Sequence, residues 1–350
     1  MTLVIANGPS CGIFATYLCD TNLPKQCRSS ADSRLFPIMC RPPFLFVFLL
    51  SSGIFAVAGI DVALAAERTE NNTSSPSLLA QLADDVRDGQ FQKSSLLEAV
   101  LIASGIERPD ERAKISAQFT EHCRQLRESN HVQRITDAQR AAAILSYMHR
   151  EILTAGYDVD CTEFDQSIRT GRYNCVSATV LFRCLADEFN LPVQVLESPR
   201  HMYVHVRSEH PEQGDLDIET TCPGWFSMSE ELRHIPDPAA FHPINDTQLI
   251  AAILYNRGIC SLRAEYFSES ANLNEITLRL DPGHVGAKAN LLATFNNWAL
   301  SRAGKRDFSG ALAILERGQK LEPDHEPFAR NEVYIRGEWM RSNLSAGLHE

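Results

Sequence analysis

The hydrophobic period of this chain changes twice along its length, which restricts the fold to a small β layer held between two helical regions. From residue 78 to about 157 the spacing is helical. Leu96, Leu97, Val100 and Leu101 recur at helix intervals, Gly105 and Pro109 punctuate, and Ile115, Phe119, Cys123 and Leu126 resume the pattern. Ala141, Ala142, Ile144, Leu145 and Met148 carry it further. Residues 169–174 then read as a loop. Cys175 opens an apolar helix through Val176, Val180, Leu181, Cys184, Leu185 and Phe189, which Asn190-Leu191-Pro192 stops because proline has no N–H to continue the ladder. Residues 193–196 predict a short strand. From 201 to 207 the chain alternates, with Met202, Val204 and Val206 on one face, and 215–221 alternates again after a turn-rich stretch. The second run is therefore expected as the antiparallel partner of the first. Beyond residue 249 the period is helical once more. The fold class expected is α+β.

With 350 residues, the chain is long enough for two domains with their own cores. Its N-terminus reads as a targeting segment. Arg34 and Arg41 precede an apolar run over residues 43–60, and Ala63-Leu64-Ala65 offers the small-x-small pattern of a cleavage site just before Glu67-Arg68-Thr69-Glu70. A start at Met39 would give a signal of ordinary length. The same run, left uncleaved, is nearly long enough to anchor the chain in a bilayer. In both cases the body of the protein is expected outside the cytoplasm, periplasmic or secreted. Without residues 1–66 the chain keeps 29 basic and 41 acidic residues, a net charge of −12. Such a balance, with no basic run that could track phosphates, argues against nucleic acid as a partner, and a membrane enters only through an uncleaved segment.

Six cysteines follow the targeting segment: Cys123, Cys161, Cys175, Cys184, Cys222 and Cys260. An oxidising compartment permits disulfides, but if one thiol is kept for chemistry, five cannot all pair internally. No CxxC spacing occurs, so a structural zinc site is not expected. The domain order that follows is an extension and signal (1–66), a polar linker (67–77), a core domain with a helical N-terminal part (78–245) and a helical segment (249–346).

That last segment repeats. Gly258, Ser270 and Pro282 recur as Ala299, Ala311 and Pro323 at a constant offset, and Leu280-Asp281-Pro282 answers Leu321-Glu322-Pro323. The windows 251–284 and 292–325, with a seven-residue joint between them, resemble the tetratricopeptide repeat, in which small residues let two helices cross closely. Asn274 and Thr277 are unusually polar for such a unit. Residues 326–346 are expected to cap the array with a polar outer face. A plain helical bundle is the simpler alternative.

The chemistry concentrates on Cys175. A cysteine at a helix start lies among exposed N–H groups at the positive end of the helix dipole, which favours a thiolate. If strands 201–207 and 215–221 pair symmetrically about their loop, 201 lies opposite 221 and 203 opposite 219. His201 and Glu219 then share a face within side-chain reach. A carboxylate on one imidazole nitrogen leaves the other for the thiol. The same register sets Asp217 opposite His205, a second pairing that stays open, although His201 with Glu219 is preferred.

These residues carry a resemblance. The order of a cysteine opening a helix, a strand beginning His201-Met202-Tyr203-Val204 and a carboxylate in Glu219-Thr220-Thr221 resembles the transglutaminase-like superfamily, whose fold is papain-like. More narrowly, Asn174-Cys175-Val176-Ser177, Asn190-Leu191-Pro192-Val193 and Pro199-Arg200-His201 are similar to the SirB1-like branch, where a helical part precedes the core and helical repeats often follow. The resemblance covers about residues 78–325. It implies a cysteine–histidine–carboxylate triad of Cys175, His201 and Glu219, with glutamate where the superfamily usually has aspartate. Many members of that branch have lost the cysteine, and this chain keeps it.

The activity implied is acyl transfer on a protein or peptide substrate, without a cofactor. Water as acceptor makes a peptidase or amidase, and an amine makes a protein-glutamine acyltransferase. The Cys175 N–H is the expected oxyanion donor, with Tyr173 or Asn174 as further donors. Two other readings compete. A zinc site could draw on His201, His205, His210 and Cys222, although the segment alternates like a strand and lacks a helical HExxH. Alternatively the core is inactive and the repeats hold a protein partner.

Overall fold

The computed structural model describes residues 77–86, 91, 93–129, 136–207 and 214–346. The apolar run at 43–60, the cleavage pattern and the linker up to residue 76 lie outside the described residues. Among those described, no helix is long and apolar enough to cross a membrane.

Four helices come first: α1 (Leu78–Asp85), α2 (Leu96–Ala103), α3 (Pro109–Glu128) and α4 (Asp137–Tyr147). Each begins where the sequence supplies a start. Ser77 and Ser95 cap α1 and α2, proline opens α3, and Thr136 with Gln139 closes a capping box on α4. The last of these runs on into a π-helical turn at Met148–Ile152, a widened geometry often found where a side chain is being aimed.

Residues 169–174, expected as a loop, are ordered differently. A seven-residue helix, α5 (Phe164–Thr170), ends on Gly171 at φ +74°. A Cβ there would stand 2.8 Å from Thr154 Oγ1, so both the left-handed backbone and the close approach need glycine. The chain then forms β2 (Arg172–Tyr173), parallel to β1 (Gly156–Tyr157). Two turns of helix are too short to show a period, which is why the sequence reads as loop.

Helix α6 (Cys175–Glu188) is buried along most of its length and packs on the main sheet. It ends in a Schellman turn: Asn190 sits at φ +51°, its N–H donates to the Asp187 carbonyl, and the Leu191 N–H reaches the Ala186 carbonyl at 2.8 Å. The main sheet holds four antiparallel strands in the order β5-β4-β3-β6, namely β3 (Val193–Ser198), β4 (His201–Val206), β5 (Leu216–Ile218) and β6 (His242–Ile244). His205 lies opposite Asp217 and Val204 opposite Ile218, the register expected from symmetric pairing. Only three residues of 215–221 pair, because the chain turns at Glu219, where the Cys222 N–H donates to the Glu219 carbonyl. Strand β6 was not expected. His242-Pro243-Ile244 is short and contains proline, which an edge strand tolerates.

Five helices follow: α7 (Asp246–Arg263), α8 (Phe267–Leu280), α9 (Val285–Gly304), α10 (Phe308–Leu321) and α11 (Glu326–Ala346). The repeat offset is written into the backbone. Glu265 and Arg306 take φ +61° and +65° in equivalent turns, and Asp281 and Glu322 share an extended geometry at the ends of α8 and α10. Small residues sit at the crossings as expected, since Ser270 Oγ donates to the Gly258 carbonyl and Ala299 and Ala311 are fully buried. The seven-residue joint is not a linker. Residues 285–291 are the opening of α9, and seven residues make about two helical turns, so the insertion lengthens the helix without rotating its buried face. Asn274 and Thr277 are fully buried and bond back to the Ser270 and Leu273 carbonyls.

Two hydrophobic cores result. The first runs from Leu82 to Leu280 and takes in α6, the sheet and the α7–α8 hairpin. Its centre includes Leu249, Ile250, Ile253 and Leu254 of α7, all essentially without exposure. The second core lies among α8, α9, α10 and α11. The outer face of the capping helix is polar only in part, with Arg330, Arg336 and Arg341 exposed beside apolar residues. Val333, Tyr334, Met340 and Leu344 of α11 are exposed, because Phe328 and Ile335 already supply its buried side.

Candidate active site

Cys175 is the first residue of α6, held there by a capping box around it. Asn174 Oδ1 accepts from the Val176 and Ser177 N–H groups at 2.9 and 3.0 Å, and Ser177 Oγ accepts from the Asn174 N–H at 3.0 Å. Asn174 Nδ2 also donates to the Val159 carbonyl, and Ser177 Oγ–H donates to the Cys161 carbonyl at 2.8 Å. The Asn174-Cys175-Val176-Ser177 motif is therefore a buried clamp that fixes where the cysteine sits. The cap serves the N–H groups of residues 176 and 177. That of Cys175 has no acceptor among the described residues.

His201 opens β4 after the two-residue turn Pro199–Arg200, and its N–H donates to Ser198 Oγ. Its Nε2 lies 2.5 Å from Glu219 Oε2. A carboxylate only accepts, so the ring donates from Nε2 and Nδ1 is the nitrogen that remains. The Cys175 thiol is a neighbour of the same ring and acts on it electrostatically. Phe241 meets His201 edge-on at 6.2 Å and Tyr203 at 4.8 Å, closing one side of the imidazole with apolar surface.

Glu219 is 4 % exposed and has its bonding capacity well used. Oε2 takes the histidine, while Oε1 accepts from the Thr221 N–H at 3.0 Å and from Thr221 Oγ1–H at 2.6 Å. Burial works against both charges. For His201 it is outweighed by the Glu219 carboxylate, the hydrogen bond to it and the neighbouring Cys175 thiol, which push the ring up to about 11. For Glu219, burial is outweighed by the His201 charge and the Thr221 bonds, leaving the carboxyl below its ordinary range.

The structure brings Cys175, His201 and Glu219 together and separates Asp217 from them. Asp217 Oδ1 instead lies 2.8 Å from His205 Nδ1, with Asp215 Oδ2 at 3.4 Å from His205 Nε2. Both pairings that the register allowed are therefore made. The further oxyanion donors expected from Tyr173 and Asn174 are occupied elsewhere: Tyr173 Oη–H points to the Thr221 carbonyl and the Asn174 amide serves the cap and Val159. Among the described residues no three His, Cys, Asp or Glu side chains group as a metal site, and His210 lies outside them.

Several supporting residues were not singled out from the sequence. Thr179 of α6 is hydrogen-bonded through its hydroxyl to that of Thr220 at 2.8 Å, tying the cysteine's helix to the acid's turn. His149, on the π turn, donates from Nε2 to the Thr220 carbonyl at 2.9 Å and meets the Tyr173 ring edge-on. Burial lowers its pKa, so it is held neutral. Thr221 had a visible signal in the Glu219-Thr220-Thr221 run. His149 had none, because it lies 70 residues away from Glu219 in an ordinary helical pattern.

The remaining thiols differ from Cys175. Cys123, Cys161, Cys184 and Cys260 are free, and burial raises each of them, Cys123 to about 12 and Cys161 to about 11. Cys175 is also free and half-buried, and it is the one beside His201. No family model matches the chain, and no curated protein or solved structure matches it.

Proposed function

We propose that this chain is an exported, cysteine-dependent acyl-transfer enzyme with a transglutaminase-like, papain-type core followed by tetratricopeptide-like repeats. The observation that carries the reading is the His201 ring, bonded to buried Glu219 through Nε2 and set beside Cys175 on a capped helix start. In the proposed reaction the Cys175 sulfur, as thiolate, attacks an amide carbonyl and forms a C–S bond. The carbonyl electron pair moves to oxygen, which the Cys175 N–H faces as donor. Collapse of that intermediate breaks the C–N bond as His201 gives its proton to the leaving amine, leaving a thioester. Water then adds to the thioester carbonyl as it loses a proton to His201, and collapse of that intermediate breaks the C–S bond, releasing the acid and returning the Cys175 thiolate. An amine entering instead would make the amide of a transglutaminase. Hydrolysis is the reading preferred, since water is always present.

The test is labelling with a small thiol-directed electrophile near neutral pH. Cys175 should react selectively, and the label should fall to background in Cys175→Ala and drop by about a hundredfold in His201→Ala. If Cys175 reacts no faster than Cys260 or Cys184, the enzyme reading fails and the fold is better taken as an inactive core whose repeats hold a protein partner.

A further inference from the structure

The turn that carries the acid is gripped from outside the triad. Thr220 is fully buried, and the carbonyls of Thr220 and Thr221 both accept bonds from distant side chains. His149 Nε2–H donates to the first at 2.9 Å, and Tyr173 Oη–H points to the second at 3.4 Å. The two rings meet edge-on with 5.3 Å between their centres. His149 comes from the π turn at Met148–Ile152, a rare geometry that recurs at functional sites.

One peptide group joins His149 to the acid. Its carbonyl, on Thr220, accepts the His149 N–H, and its own N–H, on Thr221, donates to Glu219 Oε1 at 3.0 Å. A peptide group is planar, so fixing the direction of the carbonyl fixes the direction of the N–H opposite it. Oε1 held there leaves Oε2 aimed at His201 Nε2, 2.5 Å away. Three hydrogen bonds thus lead from His149, through one rigid plane, to the His201 ring. Burial keeps the His149 ring neutral, so it supplies a donor without a charge that would draw Glu219 away from His201.

We propose that His149 is a positioning residue of the site: through the Thr220–Thr221 peptide it sets the orientation in which Glu219 holds the His201 ring toward Cys175. The role rests on the triad reading of Cys175, His201 and Glu219. It belongs to His149 because the hydroxyl supports, Thr179 on Thr220 and Thr221 on Glu219, hold side chains and leave the peptide plane free to tilt.

Side-chain geometry supplies the test. Glutamine places an amide N–H where histidine has Nε2, and asparagine places one where it has Nδ1. His149→Gln should keep the bond to Thr220, while His149→Asn and His149→Phe should lose it and leave a buried carbonyl unpaired. The readout is the downfield proton NMR signal of His201 Nε2–H, which does not require Cys175 to react. It should move upfield and exchange faster with water in His149→Asn and His149→Phe, and stay near its wild-type position in His149→Gln. Labelling of Cys175 near neutral pH should fall by about tenfold in the first two, the worth of one buried hydrogen bond, and by much less in the third. Far-UV circular dichroism checks folding. If His149→Phe fails to fold, glutamine against asparagine still decides, since these amides differ by one methylene. A merely structural role would lower the melting temperature and leave the His201 signal in place, which would overturn the proposal, as would equal behaviour of the two amides. Wild-type labelling with no preference for Cys175 would overturn the enzyme reading and this role with it. Selective labelling with an unmoved signal would overturn the role alone.

Discussion

At Glu219 one side chain meets three demands: it is buried, it holds the His201 ring, and it is itself held by Thr221. The extra methylene over aspartate is used in that reach. Glu219→Gln should therefore cost about 2–4 kcal/mol of stability, because it strips the buried imidazolium of its counter-charge. The pH dependence has a definite sign. The folded-state pKa of Glu219 lies below its free value of 4.5, so its contribution is complete above that value and is lost as pH falls through the lowered pKa. That of His201 lies above its free value of 6.5, so its contribution is complete below 6.5 and is lost as pH rises toward about 11. Urea denaturation of wild type and Glu219→Gln should show the largest difference between about pH 4.5 and 6.5, shrinking on either side. A gap that did not vary with pH would refute the ion pair.

At the scale of elements, the cysteine's position depends on one helix cap and the acid's position on one hairpin. Removing the cap by Asn174→Ala should cost about 1–2 kcal/mol and slow the labelling of Cys175, since the first turn of α6 would fray at the reactive residue. Asn174→Asp keeps the acceptor and should retain most of both. In the helical array the small residues are similarly specific. At Gly318 an added methyl would run into the ring of Phe328, which is fully buried and has nowhere to move. Gly318→Ala should destabilise by about 1–3 kcal/mol despite the higher helix propensity of alanine, a change measurable by thermal melting. Gly258→Ala should cost a similar amount, because the Asn274 amide it meets at 2.6 Å is itself fully buried and bonded to the Ser270 carbonyl.

For the whole molecule, the two cores do not divide where the sequence pattern changes. The α7 side chains Leu249, Ile250, Ile253 and Leu254 complete the core beneath the sheet, although α7 belongs to the repeated segment. A chain ended after Ile244 would leave that core open and should fail to fold. A chain ended after Gly283 keeps α7 and α8 and should stay folded, with the Cys175 site intact. Circular dichroism and thiol labelling of the two truncated chains would tell them apart, and a folded shorter chain would contradict this account. Leu254→Ala in the full chain should cost about 2–5 kcal/mol, as for any large core side chain removed without collapse.

Much of this was readable from residue order alone, because it rests on local periods and pairings. The strand alternation set the register that puts Glu219 near His201, and the apolar period that opens at Cys175 marked a helix start. The constant spacing of Gly258, Ser270 and Pro282 from Ala299, Ala311 and Pro323 announced the paired hairpins. Other features depend on which surfaces meet across the chain. His149 reaches the acid's turn from a distant helix, the π turn aims it there, and β6 joins the sheet despite its proline. The loop expected before Cys175 became helix and strand because Gly171 lets the chain reverse tightly against Thr154. The seven-residue joint became helix, and the capping helix kept an apolar face. Local sequence determines period, caps and strand register through nearest-neighbour sterics and hydrogen bonding. Which side chains become buried, and against what, is decided only when distant elements close one core together.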